Sequence, residues 1–130
     1  MAGDLFWLVC TALLSVFLPM LYLVGRSQTP GGIDWAFGNR DTALAVPAWT
    51  DRAIRAHANL TENLAPFAIL VIVAHLAGKS GDLTALGAAI FFWARLAHII
   101  VYAAGIIYLR TLVFFIGSAG EILILIALFR

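Results

Sequence analysis

The chain has 130 residues, of which 63% are apolar and 12% are charged, and its mean hydropathy is +0.99. A soluble domain carries about 25% charged residues, and one this short cannot bury so much apolar surface. The composition therefore predicts an integral membrane protein in a lipid bilayer, and the net charge of +1 gives no reason to expect nucleic acid as a partner. The single cysteine, Cys10, excludes an internal disulfide and a metal cage made of cysteines alone.

Four apolar stretches are long enough to cross a bilayer as helices. They cover about residues 5–25, 52–77, 83–108 and 111–129 and predict one all-α domain, a four-helix transmembrane bundle over residues 1–130. The first stretch is too long for the apolar core of a signal peptide and lacks a basic segment before it, so we expect it to remain in the mature protein.

The one long polar segment covers residues 27–50 and contains several glycines and prolines, which are typical of turns. It predicts an extramembrane loop with an interfacial piece around residues 35–37. Thr50 or Asp51 is expected to cap a helix that starts near Arg52. Residues 78–81, Gly-Lys-Ser-Gly, predict a tight turn between the second and third spans.

The distribution of basic residues predicts the orientation of the chain in the membrane. The first and third loops would carry Arg26, Arg40, Arg52, Arg55 and Arg110, whereas the opposite side would carry Lys79 and Arg130. Because basic residues are enriched in cytoplasmic loops, both termini are predicted to be non-cytoplasmic. This topology gathers the polar residues of all four spans at the cytoplasmic face. They are Arg26, Arg55, Asn59, Glu62, Arg95, His98, Tyr102, Arg110 and Thr111.

The polar residues that begin the second span recur at steps of three and four and would share one helix face. They are Arg52, Arg55, Asn59, Glu62 and Pro66. Inside a membrane an isolated charge costs several kcal/mol, so Glu62 and Arg95 are expected to pair, with Asn59 as a possible bridge. Such a pair could be purely structural or could belong to a ligand site.

Arg95, His98 and Tyr102 are spaced to share one face of the third span. They could line a pocket for a polar ligand. Alternatively, His98 could bond to a backbone carbonyl while Tyr102 anchors the helix at the interface. The three histidines, at positions 57, 75 and 98, lack the spacing of metal ligands, so no metal is expected.

Arg110 is predicted to begin the fourth span. Its guanidinium could extend to lipid headgroups, bind a carboxylate or stabilise a thiolate. No cysteine of the chain lies at that depth, so such a thiol would have to come from a ligand. Further along this span, Glu121 follows Gly117 and Gly120, small residues that permit close helix contact, and Glu121 could face another subunit.

Two blocks of sequence carry a family resemblance. Residues 55–67 read RAHANLTENLAPF and residues 94–102 read ARLAHIIVY. The first resembles the signature of the membrane-associated proteins in eicosanoid and glutathione metabolism, the MAPEG family, and the second resembles the third-helix block of the same family. Residues 108–111, YLRT, resemble the start of the fourth helix in short bacterial members. The resemblance covers nearly the whole chain, and the similarity to short bacterial members implies a bacterial inner membrane as the location.

The resemblance implies a homotrimer that binds glutathione, as cosubstrate, between neighbouring subunits at the cytoplasmic side. Arg55, Asn59 and Glu62 would contact the glutathione backbone, and Arg110 would stabilise the thiolate as the catalytic residue. The rest of the implied glutathione site consists of Arg26, Arg95, His98, Tyr102 and Thr111. The expected activity is that of a transferase or peroxidase acting on lipophilic electrophiles.

Two positions differ from a prostaglandin-forming branch of the family. Ala58 stands where that branch has a second arginine, and Phe114 stands where it has an aromatic hydroxyl. These differences favour an alternative, a non-catalytic trimeric membrane protein that binds a lipid or another partner. A small transporter is a third interpretation, but the outer half of the membrane offers few polar groups beyond Glu121.

Overall fold

The computed structural model describes residues 1–130 and contains only helices and their connections. The helices are α1 (Gly3–Ser27), α2 (Gly32–Phe37), α3 (Ala48–Leu76), α4 (Asp82–Ala104) and α5 (Ile107–Phe129). All but α2 are long and apolar enough to cross a membrane. The predicted fold class, an all-α membrane protein with four spanning helices, is confirmed, and the chain is a multi-pass integral membrane protein. The homotrimer stays a prediction.

Helix α4 packs against α1, α3 and α5, and α3 likewise packs against the other three spanning helices. The most extensive contact of α4 is with α5, whereas α1 and α5 do not touch. Large apolar side chains cover the outer faces; Phe17 is 63% exposed and Phe115 is also 63% exposed. In water these side chains would be unfavourable, but in lipid they meet a solvent as apolar as themselves.

The core is held by aromatic stacking and by close helix contact. Phe67 of α3 and Phe91 of α4 are fully buried and stack with ring centroids 3.9 Å apart. Gly87 of α4 faces Gly120 of α5 so closely that a Cβ atom at either position would lie 2.5 Å from the other residue's carbonyl oxygen. The small residues of the fourth span therefore serve close packing within the chain.

Two glycines in the left-handed backbone region end helices α3 and α4. At Gly105, with φ of 81°, the Ile106 N–H donates to the Val101 carbonyl, which satisfies a carbonyl at the helix end. The third span thus ends at Ala104 rather than at residue 108, and the fourth begins at Ile107 rather than at residue 111. As a result, Arg110 lies in the first turn of α5.

The start of α3 also differs from the prediction. The helix begins at Ala48, four residues before the expected start at Arg52, and neither Thr50 nor Asp51 caps it. Instead, the Pro47 carbonyl accepts a hydrogen bond from the Thr50 N–H, with proline at the position before the first helical residue. Thr50 is buried against Gly25 of α1, where no Cβ atom would fit. In the predicted loop, the interfacial piece forms the short helix α2.

The two ends of the bundle are named here by one residue each. The Arg110 end holds the end of α1, the start of α3, the end of α4 and the start of α5. The Asp4 end holds the start of α1 and the α3–α4 turn. The Arg110 end is the one predicted to face the cytoplasm.

Candidate functional site

A cleft of about 300 Å³ opens at the Arg110 end between α3, α4 and α5. This Arg110 cleft is lined by Asn59 from α3, His98 and Tyr102 from α4, and Arg110, Thr111, Phe114 and Phe115 from α5. Its volume lies at the lower end of the range for small-molecule sites. Five of the nine residues predicted for the site line it: Asn59, His98, Tyr102, Arg110 and Thr111.

The regular spacing of helices α4 and α5 brings these side chains together. His98 and Tyr102 are four residues apart on α4 and therefore share a face, with their rings in an edge-to-face contact at 5.5 Å. Arg110 and Phe114 bear the same relation on α5. Because Gly105 turns the chain sharply, the last turn of α4 meets the first turns of α5.

Arg110 provides the positive charge of the cleft. Its guanidinium carbon lies 4.5 Å from the centre of the Tyr102 ring, a cation–π contact that orients the half-buried side chain. No carboxylate of the chain lies within 4.0 Å of it. The guanidinium therefore retains its capacity to bind an anion.

Arg95 lies directly behind the cleft and is only 1% exposed. Its guanidinium is sandwiched between the rings of Phe91 and Phe114, at 4.8 and 4.7 Å. Nη1 donates to the Asn59 side-chain oxygen at 3.3 Å, whereas Nε and Nη2 have no hydrogen-bond acceptor. Gly117 makes room for this arrangement, because a Cβ atom there would lie 3.3 Å from Arg95 Nε.

The predicted ion pair between Glu62 and Arg95 does not form within the chain. Glu62 is exposed on the surface of α3, while Asn59, three residues earlier, faces α4 and bonds to Arg95. The two residues are about 60° apart around the helix, which suffices to turn one inward and the other outward. Glu121 shares a face of α5 with Gly117 and attracts Arg95 electrostatically, but it forms no ion pair with it within 4.0 Å.

Three predicted residues lie outside the Arg110 cleft. Arg55 and Glu62 are exposed on α3, and Arg26 lies at the end of α1 between the rings of Tyr22 and Trp35. The polar stripe of α3 is divided further, because Arg52 donates from Nε to the Ala103 carbonyl at 3.0 Å and so caps the end of α4.

The structure also reveals functional candidates that the sequence reasoning missed. Phe114 forms a wall of the cleft and holds Arg95, a role that its position four residues after Arg110 could have indicated. His57 of α3 faces α1, where its Nδ1 lies 3.1 Å from the Tyr22 hydroxyl and its Nε2 lies 3.4 Å from the Ser15 hydroxyl. Ser15 and Tyr22 are seven residues apart on α1, which is the spacing of a shared face.

His98 is 4% exposed and contacts the rings of Tyr102 and Phe114 rather than a backbone carbonyl. The alternative in which it serves as a carbonyl-bonded structural histidine is therefore not observed. No group of three or more histidine, cysteine or acidic side chains is placed to hold a metal ion.

These features define an all-α, multi-pass membrane protein with an arginine-bearing cleft at one end of its bundle. Comparison with known proteins identifies the family. The sequence model of the MAPEG family matches residues 5–130, and the chain belongs to this family of membrane proteins of glutathione and eicosanoid metabolism. No curated protein matches the chain.

Proposed function

We propose that this protein is a glutathione-dependent transferase or peroxidase that acts on lipophilic electrophiles at the Arg110 cleft. The observation that carries the proposal is the Arg110 guanidinium, which is oriented by Tyr102 and has no carboxylate partner. A cation in this state favours a thiolate over a thiol. Because the chain belongs to the MAPEG family, we propose glutathione as the thiol.

The cleft offers partners for the rest of a peptide-like thiol. Asn59 and Thr111 provide an amide and a hydroxyl at its edge, and His98 and Tyr102 provide an imidazole and a phenol. Behind them, the two nitrogen atoms of Arg95 without acceptors attract negative charge toward this end of the bundle. Glutathione, with two carboxylates and a thiolate, matches this positive environment.

The trimer is part of the proposal because it accounts for Arg55 and Glu62. Both are exposed on α3 in the single chain, outside the cleft. If glutathione binds between subunits, a neighbouring α3 would supply these two side chains to the peptide backbone of the ligand. The site would then combine Arg110 from one subunit with Arg55 from the next, at the cytoplasmic face of a bacterial inner membrane.

The proposed reaction is nucleophilic attack by the bound thiolate. Its sulfur forms a bond to an electrophilic carbon of the lipophilic substrate, while the bond from that carbon to the leaving group breaks and the leaving group departs with the electron pair. The substrate can approach from the lipid, because Phe115 lines the cleft and is 63% exposed on the outer surface. Arg110 holds the thiolate without itself exchanging a proton.

The test is a titration of the purified protein with millimolar glutathione while the ultraviolet absorbance of the thiolate is followed. Wild type should show a saturable thiolate signal at neutral pH, and Arg110→Ala should reduce it about tenfold or more. Arg130→Ala, which removes an exposed arginine at the opposite end, is the control and should keep the wild-type signal. An unchanged signal in Arg110→Ala would disprove the role of Arg110.

A second candidate is a non-catalytic protein that binds a lipid in the same cleft. The apolar wall formed by Phe114 and Phe115 favours it. Under this alternative, wild type shows no thiolate signal at millimolar glutathione, and the structure determined from membranes shows an acyl chain between these two rings.

A further inference from the structure

A second cleft, of about 240 Å³, lies between the last turns of α1 and the short helix α2. We call it the α1–α2 cleft. Its wall includes Arg26 and Arg40 as well as the apolar side chains of Pro19, Met20, Leu23 and Phe37. It is separate from the Arg110 cleft, with which it shares no residue.

The two arginines line one cleft and contact the same tryptophan. The guanidinium carbon of Arg26 lies 5.2 Å from the centre of the Trp35 ring, and that of Arg40 lies 5.4 Å from it. Tyr22 supports Arg26 from α1 at 4.9 Å, and Trp35 is itself fixed by donating its indole N–H to the Thr42 carbonyl. Two positively charged side chains thus line the cleft beside the end of α1.

Arg40 is fixed by its backbone as well as by Trp35. It is the one residue other than glycine with positive φ, at 59°, a conformation that is unfavourable for a residue with a side chain. The conformation lets Nε and Nη2 both donate to the Ala36 carbonyl, at 3.1 and 2.7 Å. The remaining N–H groups of Arg40 are left for another acceptor.

Neither arginine of this cleft forms an ion pair within the chain. Asp34 and Asp41 are close in sequence and exposed, yet no carboxylate lies within 4.0 Å of either guanidinium. Both cations line one cleft without a counterion, so an anion bound in the cleft would be attracted by both of them. A phosphate group suits the position, because guanidinium groups bind phosphate oxygens in pairs of parallel hydrogen bonds.

The rest of the cleft is apolar and opens toward lipid. Met20 is 58% exposed and Phe37 is 79% exposed, and the exposed face of α1 continues from them through Phe17. A soluble anion would leave this apolar wall unused. An amphiphile would use both parts, with its headgroup at the arginines and its acyl chain along α1.

We infer that the α1–α2 cleft binds an anionic phospholipid, with its phosphate between Arg26 and Arg40 and an acyl chain against Met20 and Phe37. The predicted orientation places this cleft at the cytoplasmic leaflet, where basic side chains near the membrane surface attract anionic lipids. This inference assigns Arg26 to a lipid rather than to glutathione, and it does not depend on the proposed activity.

The experiment measures lipid retention in the absence of glutathione. The protein is placed in nanodiscs of equal parts phosphatidylglycerol and phosphatidylcholine, extracted into mild detergent, and weighed by native mass spectrometry. Wild type should retain phosphatidylglycerol in preference to phosphatidylcholine. The Arg26→Gln, Arg40→Gln double variant should retain about tenfold less phosphatidylglycerol or lower still. The matched control, Lys79→Gln with Arg130→Gln, removes two charges at the Asp4 end and should behave as wild type.

Three further measurements can refute the inference. Phe37→Asn keeps both arginines but removes part of the apolar wall of the α1–α2 cleft, so it should also lower phosphatidylglycerol retention. Millimolar inorganic phosphate or glutathione should not displace the lipid; displacement by either would show a site for soluble anions and overturn the inference. Equal retention by the arginine double variant and wild type would overturn it as well. An unchanged helicity by circular dichroism in that variant would show that the fold is intact.

Discussion

Each end of the bundle buries one charged side chain to 1% exposure, and the two are treated in opposite ways. At the Asp4 end, the carboxylate of Asp4 accepts three hydrogen bonds from groups of the same chain. At the Arg110 end, Arg95 makes one hydrogen bond, and two of its nitrogen atoms have no acceptor. The contrast separates a part of the protein that is complete by itself from a part that is suited to binding something else.

The Asp4 end is a closed polar network. Oδ2 of Asp4 accepts from the hydroxyl groups of Ser80 and Thr84, at 2.7 and 2.9 Å, and Oδ1 accepts from the Leu5 N–H at 2.9 Å. Beyond it, the His75 ring nitrogen Nδ1 lies 3.3 Å from the Ser80 hydroxyl. The network ties the start of α1 to the α3–α4 turn, and its satisfied buried charge stabilises the fold.

At the opposite end, the positive side chains lack partners of opposite charge. Arg95, Arg110, Arg26 and Arg40 are each oriented by at least one aromatic ring, and none forms an ion pair within 4.0 Å. Aromatic contacts fix a guanidinium in place without neutralising its charge. This end therefore attracts anions.

The largest effect on stability is expected from Asp4→Ala. The substitution removes the acceptor shared by the half-buried Ser80 hydroxyl and the buried Thr84 hydroxyl, so the free energy of unfolding should fall by about 3 kcal/mol. It can be measured as the shift in detergent-induced unfolding, with helicity followed by circular dichroism. Asp82→Ala, which removes an exposed acid from the first turn of α4, should change it by only about 0.5 kcal/mol. Equal losses in the two variants would show that the Asp4 network adds nothing specific.

Thr84→Val should have the next largest effect. The Thr84 hydroxyl is within 2.9 Å of Asp4 Oδ2 and also accepts from the Gly81 N–H, so its removal leaves partners unsatisfied at both sites. We expect a loss of about 2 kcal/mol in the same unfolding measurement. Thr61→Val is the matched control, since the Thr61 hydroxyl is exposed and bonds within its own helix to the His57 carbonyl. A control variant as unstable as Thr84→Val would contradict the interpretation.

Much of the Arg110 end could be predicted from the sequence. The length of each apolar stretch fixes the number of spans, because the thickness of the bilayer sets the length of a helix that crosses it. The number of spans then decides which helix ends meet. On this basis the sequence predicts that Arg110 lies close to His98 and Tyr102, which share one face of their helix because of their spacing. All three residues line the cleft.

The Asp4 network could not be predicted, because its partners are far apart in sequence. Asp4 is 76 residues from Ser80 and 80 from Thr84, and no periodicity relates them. The pairing of Glu62 with Arg95 was wrong for a related physical reason: complementary charge indicates that a partner is needed, but the rotation of α3 decides which side chain faces inward. That rotation is set by packing of Ala56 and Leu60, both fully or almost fully buried.

The smallest effect on stability is expected from Arg95→Met. This substitution tests most directly whether the buried charge of Arg95 differs from that of Asp4 in its contribution to stability. Methionine has a similar length and fits between the rings of Phe91 and Phe114, and it removes a buried charge whose nitrogen atoms are only partly satisfied. The free energy of unfolding should therefore stay within about 1 kcal/mol of wild type or rise. The affinity for glutathione, followed by the thiolate signal, should nevertheless fall, because positive charge behind the cleft is lost.

Arg52→Met provides the matched control for this prediction. Arg52 is also an arginine at a helix contact, but its Nε donates to the Ala103 carbonyl at the end of α4. Its loss should cost about 1–2 kcal/mol of stability. If Arg95→Met were instead as unstable as Asp4→Ala, Arg95 would have to be neutralised in the folded protein, for example by a carboxylate of a neighbouring subunit. The region behind the cleft would then be a second closed network, and Arg110 alone would supply positive charge to the proposed ligand.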